Sequence, residues 1–241
     1  MAFAVLELVQ RFTRATGIPT PTTVYANQAA DVQQILELLN QEGRDLSARY
    51  DWQALTFEGS FTTVATEDQG TLTAAIGATQ VMRKIFNDVM WNRTRRLPVL
   101  GPLSSKTWQA KKALSVIGPY SEYRIRGNHI IFNPAPTAGH SVYFDYVSKC
   151  WCTDSTGVTY RQNIAADTDL FLLDDEIMLA GLEWRYLRKK GLSYAEEFAR
   201  YEGLVKDAQG SDGTKPVLNM DGSASKMRPG IFIPIGDWSL P

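Results

Sequence analysis

The chain's two histidines and two cysteines lie close together in the sequence. His129 and His140 fall within IRGNHIIFNPAPTAGHSVYFDY, residues 125–146, and Cys150 and Cys152 follow a few residues later. Imidazole and thiolate are preferred zinc ligands and also common catalytic bases and nucleophiles. The spacing argues against a shared site. If a hairpin closes around Asn133 and Ser141, His140 sits near its tip and His129 about five residues down. At ~3.3 Å per residue the two rings are then on the order of 16 Å apart, too far for two ligands of one zinc. The order His…His…Cys-x-Cys matches no common zinc spacing, and Cys150-Trp151-Cys152 lacks the C-x-x-C redox pattern. Residues two apart on a strand rarely form a disulfide. These side chains are therefore expected as strand and turn residues, with no metal and no cofactor, in a reducing compartment.

A second candidate is the acidic run Asp167, Asp169, Asp174, Asp175 and Glu176. Such a cluster can hold a divalent cation or supply paired carboxylates for acid–base work. It has no glycine at the EF-hand position, and its place before an apolar helical pattern favours capping and dipole charge at a helix N-terminus. The chain contains no G-x-S-x-G, P-loop or G-x-G-x-x-G, so no enzyme is expected.

The third candidate is a contact surface. WNRTRRLPVLGPLSSKTWQAKK, residues 91–112, carries Arg93, Arg95, Arg96, Lys106, Lys111 and Lys112, interleaved with Trp91 and Trp108. Arginine and tryptophan are enriched at the centres of protein interfaces, and a basic run also suits phosphates. The plain alternative is a solvated loop whose tryptophans plug a β core. With a net charge of −1 and 44% hydrophobic residues, the whole chain has no electrostatic bias toward nucleic acid or anionic membrane.

The elements that must position these residues follow from periodicity. Val5, Leu8, Val9 and Phe12 recur at helical spacing, and Gly17 with Pro19 and Pro21 stops that helix. Val32, Ile35, Leu36 and Leu39 mark a second helix, with a break expected at Gly43 and a short helical turn past it. Residues from about 53 are rich in Thr, Val and Phe punctuated by glycine, which favours short strands. A helix of one or two turns is expected after Ser104. YRIRGNHIIF reads as strand, Gly127-Asn128 turn and strand, and Val142, Phe144 and Tyr146 alternate onto one face. Helix returns with Asp174, Asp175 and Glu176 at its start and Arg188, Lys189 and Lys190 at its end, the charge order a helix dipole prefers. Gly191 closes it, and Ser193-x-x-Glu196 reads as a capping box for a last helix striped by Tyr194, Phe198, Tyr201 and Val205.

The N-terminal run lacks the basic start and the small-residue cleavage site of a signal peptide, and no stretch reaches the ~20 apolar residues of a membrane span. A cytoplasmic origin is expected. The final residues are rich in Gly, Ser and Pro, yet Ile231, Phe232, Ile233, Ile235 and Trp238 need somewhere to dock.

The resulting expectation is an α+β fold, a helical bundle built from N- and C-terminal helices with an inserted antiparallel β-rich domain and an extended C-terminal tail. The divisions fall at 1–52 for the first helices and 53–152 for the β-rich insertion. Residues 153–209 form a loop and the last helices, and 210–241 form the arm.

Taken together, GIPTPTTV, LELLNQEGRDLSARYDWQAL, MWNRTRRLPVLGPLSSKTW, YRIRGNHIIFNPAPTAGHSVYFDYVSKCW, ADTDLFLLDDEIMLAGLEWRYLRKKGLSYAEEFARYE and PGIFIPIGDW resemble the head-to-tail adaptor, or head-completion, proteins of tailed bacteriophages, especially short-tailed ones. The likeness runs over nearly the whole chain and consists of packing and turn patterns, none diagnostic alone. It implies a structural virion protein of the neck that forms a ring, typically of twelve copies, beneath the portal. Such a ring extends the DNA channel and receives the tail tube or nozzle, and double-stranded DNA passes through without sequence-specific binding. No catalytic residue, metal or membrane partner is implied. The candidate contact residues are Trp91, Arg93, Arg95, Arg96, Trp108, Lys111 and Lys112 in the basic loop. In the arm they are Ile231, Phe232, Ile233, Ile235 and Trp238. The alternative function is a nucleic-acid-binding module using the basic loop 91–112.

Overall fold

The computed structural model describes residues 3–114, 118 and 120–213. The arm residues Ile231, Phe232, Ile233, Ile235 and Trp238 lie outside the described residues. In chain order the elements are α1 (Val5–Thr16), α2 (Ala30–Arg49), β1 (Thr56–Thr62), β2 (Asp68–Thr71), α3 (Leu72–Ile76), β3 (Met82–Ile85), β4 (Trp91–Asn92) and β5 (Leu97–Pro98). There follow α4 (Ser105–Leu114), β6 (Glu122–Arg126), β7 (His129–Asn133), β8 (Ser141–Ser148), β9 (Cys152–Thr153), β10 (Tyr160–Arg161), β11 (Leu170–Phe171), α5 (Asp175–Lys190) and α6 (Ala195–Ser211). The fold is α+β.

The chain divides into two compact units. The helical unit has its described residues in 3–59, 73–86 and 145–213, and the β-rich unit in 60–72 and 87–144. Segments 53–59, 73–86 and 145–152, placed by sequence in the insertion, thus belong to the helical unit.

In the helical unit, α1 buries Val5, Leu8, Val9 and Phe12, and Gly17 ends it in the left-handed conformation. Only glycine adopts that backbone without steric cost. Phe12 meets Tyr186 of α5 edge-on at 5.2 Å. The core continues through Ile35, Leu39 and Leu46 of α2 and Met178 and Leu182 of α5, around the fully buried Trp151. Trp151 stacks on Phe171 and its Nε1 donates to the Gln162 carbonyl at 2.6 Å. Fully burying one large apolar side chain contributes about 1.5–3 kcal/mol, so this cluster is what holds α1, α2 and α5 together.

Gly43 does not break α2, which runs unbroken through it. A Cβ at position 43 would overlap the Trp151 indole, so the glycine makes room for a ring and leaves the helix intact. Ser193 does not cap α6 either: Tyr194 occupies the N-cap position without a side-chain cap bond.

In the β-rich unit, β6 and β7 pair through five registers from Glu122–Asn133 to Arg126–His129, turning at Gly127-Asn128 as expected, and β2 takes the other edge of β7. The hairpin expected between β7 and β8 does not form. Both edges of β7 are already occupied, and β8 pairs instead with β4, which carries β5 on its other edge. The run Ile130, Ile131, Phe132, buried at three consecutive positions, is the sign of a central strand covered on both faces.

Candidate interaction surfaces

The basic loop is two structures rather than one patch. Its first part is the β4–β5 hairpin, in which Trp91 pairs with Pro98 and Asn92 with Leu97. Asn92, 5% exposed, holds the turn. Its Oδ1 accepts from the Arg95 backbone N–H at 2.9 Å, and its Nδ2 lies 3.3 Å from Nδ1 of His140. The Thr94 hydroxyl accepts from the Ser141 N–H, and the Arg93 N–H donates to the Ser141 carbonyl. Arg96 takes a positive φ of 56°, a conformation that non-glycine residues hold only when their surroundings enforce it.

With Asn92 buried beneath the turn, Arg93, Arg95 and Arg96 are exposed at the tip. The Arg93 guanidinium stacks 3.6 Å from the centroid of Tyr143, the cross-strand partner of Trp91. Trp91 is 37% exposed, so aromatic and cationic surface meet on one side of the hairpin.

The second part of the loop is α4. Trp108 is buried there, a core plug. Lys111 pairs with Glu122 and Lys112 with Glu67, while Lys112 also lies over the Trp108 ring. Trp108, Lys111 and Lys112 are thereby engaged within their own unit, and Lys106 is exposed without an ion pair among the described residues.

The two histidines have different partners. Nδ1 of His129 lies 2.9 Å from the Asp68 carboxylate. That bond, first, and the Gly70 N–H, second, hold the exposed Asp68 carboxyl below its ordinary value. His140 is fixed by Asn92 and by backbone bonds to Thr63. Among the described residues no three His, Cys, Asp or Glu side chains are placed to hold a metal ion.

The acidic run acts as local glue. Asp167 accepts from the Val24 and Tyr25 N–H groups, and the buried Asp169 from those of Ala165 and Ala166 and from Arg161. Asp174 caps α5 through the Glu176 and Ile177 N–H groups. Asp175 accepts from the Phe3 N–H at 2.9 Å, and Glu176 pairs with Arg11 at 2.5 Å. No family model matches the chain, and no curated protein matches it in sequence.

The feature that motif reading missed is in the helical unit. Glu42 of α2 is wholly buried, its two carboxylate oxygens accepting from Arg185 Nε at 2.5 Å and from the Tyr201 hydroxyl at 2.6 Å. Arg185 also reaches Asp45 at 2.8 Å. Burial pushes the Glu42 carboxyl above its ordinary value, against the opposing pull of Arg185 and Tyr201. Burial likewise raises the Tyr201 phenol, with Glu42 adding to it. Gly181 of α5 makes space, because a Cβ there would overlap the Glu42 side chain. The signal was present in the sequence: Glu42 interrupts the stripe Val32, Ile35, Leu39, Leu46 at a helical core position.

Proposed function

We propose that this chain is a head-to-tail adaptor subunit, a structural protein that forms a homo-oligomeric ring under a phage portal and hands the DNA channel on to the tail. The reading rests on the resemblance of its sequence stretches, and the α+β organisation with helices from both ends of the chain in one unit agrees with it. The observation that carries a contact role is the β4–β5 hairpin. Its turn is locked by Asn92, Thr94 and Ser141, so Arg93, stacked on Tyr143, and the exposed Arg95 and Arg96 are presented without the entropy loss of ordering a free loop. A ring of identical subunits needs a heterologous, closing contact, and this hairpin is one half of such a contact.

The test is to mix the purified protein with assembled portal rings and examine the mixture by electron microscopy and native mass spectrometry. A density ring seated on the portal, with a matching mass increment, is the expected result. Portal rings that remain bare at micromolar protein would sink the proposal. The nucleic-acid reading draws less support, since Lys111 and Lys112 already face Glu122 and Glu67.

A further inference from the structure

The near-neutral chain is built from two oppositely charged units. The described residues of the β-rich unit carry eight Lys and Arg against four Asp and Glu, a formal net charge of +4. Those of the helical unit carry fourteen Lys and Arg against twenty Asp and Glu, a net −6. Protein interfaces match positive surface to negative surface, so one chain holds both halves of an electrostatic contact.

On the basic side the exposed charge is concentrated on the β4–β5 hairpin. Arg95 and Arg96 are exposed at its tip and make no ion pair among the described residues. Trp91 adds exposed aromatic surface to the same hairpin.

On the acidic side the matching surface runs over α1, α5 and α6. Glu176 and Glu183 lie two turns apart on α5 and share a face. Arg11 of α1 reaches Glu176 at 2.5 Å, and Arg200 of α6 lies 3.6 Å from Glu183, so all three helices border this face. Glu7 stands one turn before Arg11, and Glu197 one turn before Arg200. Neither glutamate makes an ion pair among the described residues, which leaves four carboxylates around two guanidiniums. The surplus is felt at Glu183. Burial first raises its carboxyl, and Glu197 and Glu176 push the same way against Arg200 and Arg11. Beside Glu197, Tyr194 and Phe198 are exposed, aromatic surface of the kind that Trp91 offers on the hairpin.

We propose that the hairpin tip of one copy, Arg95 and Arg96 with Trp91, docks on the Glu7, Glu176, Glu183 and Glu197 face of a second copy of this chain. The contact joins two different surfaces, and such heterologous contacts build a ring when their rotation closes. It supplies the other half of the contact in the adaptor reading. It rests on that reading for ring closure alone, because two copies pair without a portal.

Sedimentation velocity of the nuclease-treated full chain at low and high ionic strength tests it. At low salt the protein should form reversible oligomers that dissociate as salt screens the contact. Arg95→Glu with Arg96→Glu, and separately Glu7→Lys with Glu197→Lys, should each weaken association on the order of a hundredfold, because like charges then face each other. An equimolar mixture of these two variants should associate again, since each supplies the face the other lacks. Glu7→Gln with Glu197→Gln, which keeps side-chain size, should weaken association severalfold. A parent protein that stays monomeric at low salt overturns the proposal. So does an association that the glutamine variant leaves unchanged, or a mixture of folded reversal variants that stays monomeric. Duplex DNA binding that only the arginine variant loses, without self-association of the parent, would assign the tip to phosphate. None of these failures alters the result of mixing the protein with portal rings, so the two readings fail separately.

Discussion

The indole of Trp151 lies directly against the α-carbon of Gly43, leaving no space for even a methyl group between helix α2 and the ring. Trp151 is fully buried and Gly43 sits mid-helix, so one residue's size sets the other's identity. Alanine at position 43 would improve helix propensity by about 1 kcal/mol. It would also drive a Cβ into a ring that is stacked on Phe171 and tethered through Nε1. Overpacking of this kind costs roughly 1–3 kcal/mol or more, so the clash wins. Gly43→Ala should lower the urea midpoint with an unchanged slope. A midpoint that rises would show that the ring relocates freely.

The Glu42–Arg185 pair predicts non-additive mutations. Arg185→Met strands a buried carboxylate and should destabilise by about 3–5 kcal/mol, while the double variant Glu42→Leu with Arg185→Met should recover most of that loss. Denaturant titration of the two single variants and the double variant measures the coupling. Simple additivity would mean that the charges are hydrated in the folded state.

Cys152 carries a pH prediction. Burial, followed by the nearby Asp169, pushes its thiol up to about 12 from an ordinary value of 9.0. Above the unfolded value the unfolded chain binds fewer protons than the folded one, so stability falls as pH rises. The contribution is complete below pH 9.0 and is lost as the pH climbs toward about 12. Neither cysteine is accessible, and a thiol reagent at neutral pH should label both only at the rate of opening or unfolding. Rapid stoichiometric labelling of the folded chain would contradict this placement.

The hairpin tip separates the two functional readings. Arg95→Ala with Arg96→Ala alters exposed side chains only, so the melting temperature should move by no more than about 0.5 kcal/mol equivalent. Association with portal rings should weaken severalfold. If instead the same variant loses salt-dependent affinity for duplex DNA that the parent protein displays, the hairpin is a phosphate-binding element.

Deleting residues 229–241 should leave the subunit folded, with the circular dichroism and urea midpoint of the full chain, and impair ring formation on the portal. A truncated chain that unfolds would place Ile231, Phe232 and Trp238 in the subunit's own core.

The sequence alone determined whatever depends on neighbours along the chain. The α1 stripe and its Gly17 stop, the Asp174 cap and Gly191 end of α5, and the Gly127-Asn128 turn all follow from local periodicity and backbone sterics. Where two distant segments had to meet, local rules misled. Gly43 reads as a helix break until Trp151 is placed beside it. His129 and His140 read as two arms of one hairpin until β2 and β6 occupy both edges of β7. The basic run reads as a single patch until Glu67 and Glu122 arrive beside Lys112 and Lys111. Glu42 stood visibly out of place in an apolar stripe, but its partners Arg185 and Tyr201 lie more than a hundred residues away. Periodicity can show that a face is buried; which atoms bury it depends on close packing and charge pairing across the chain, and those exist only in the folded molecule.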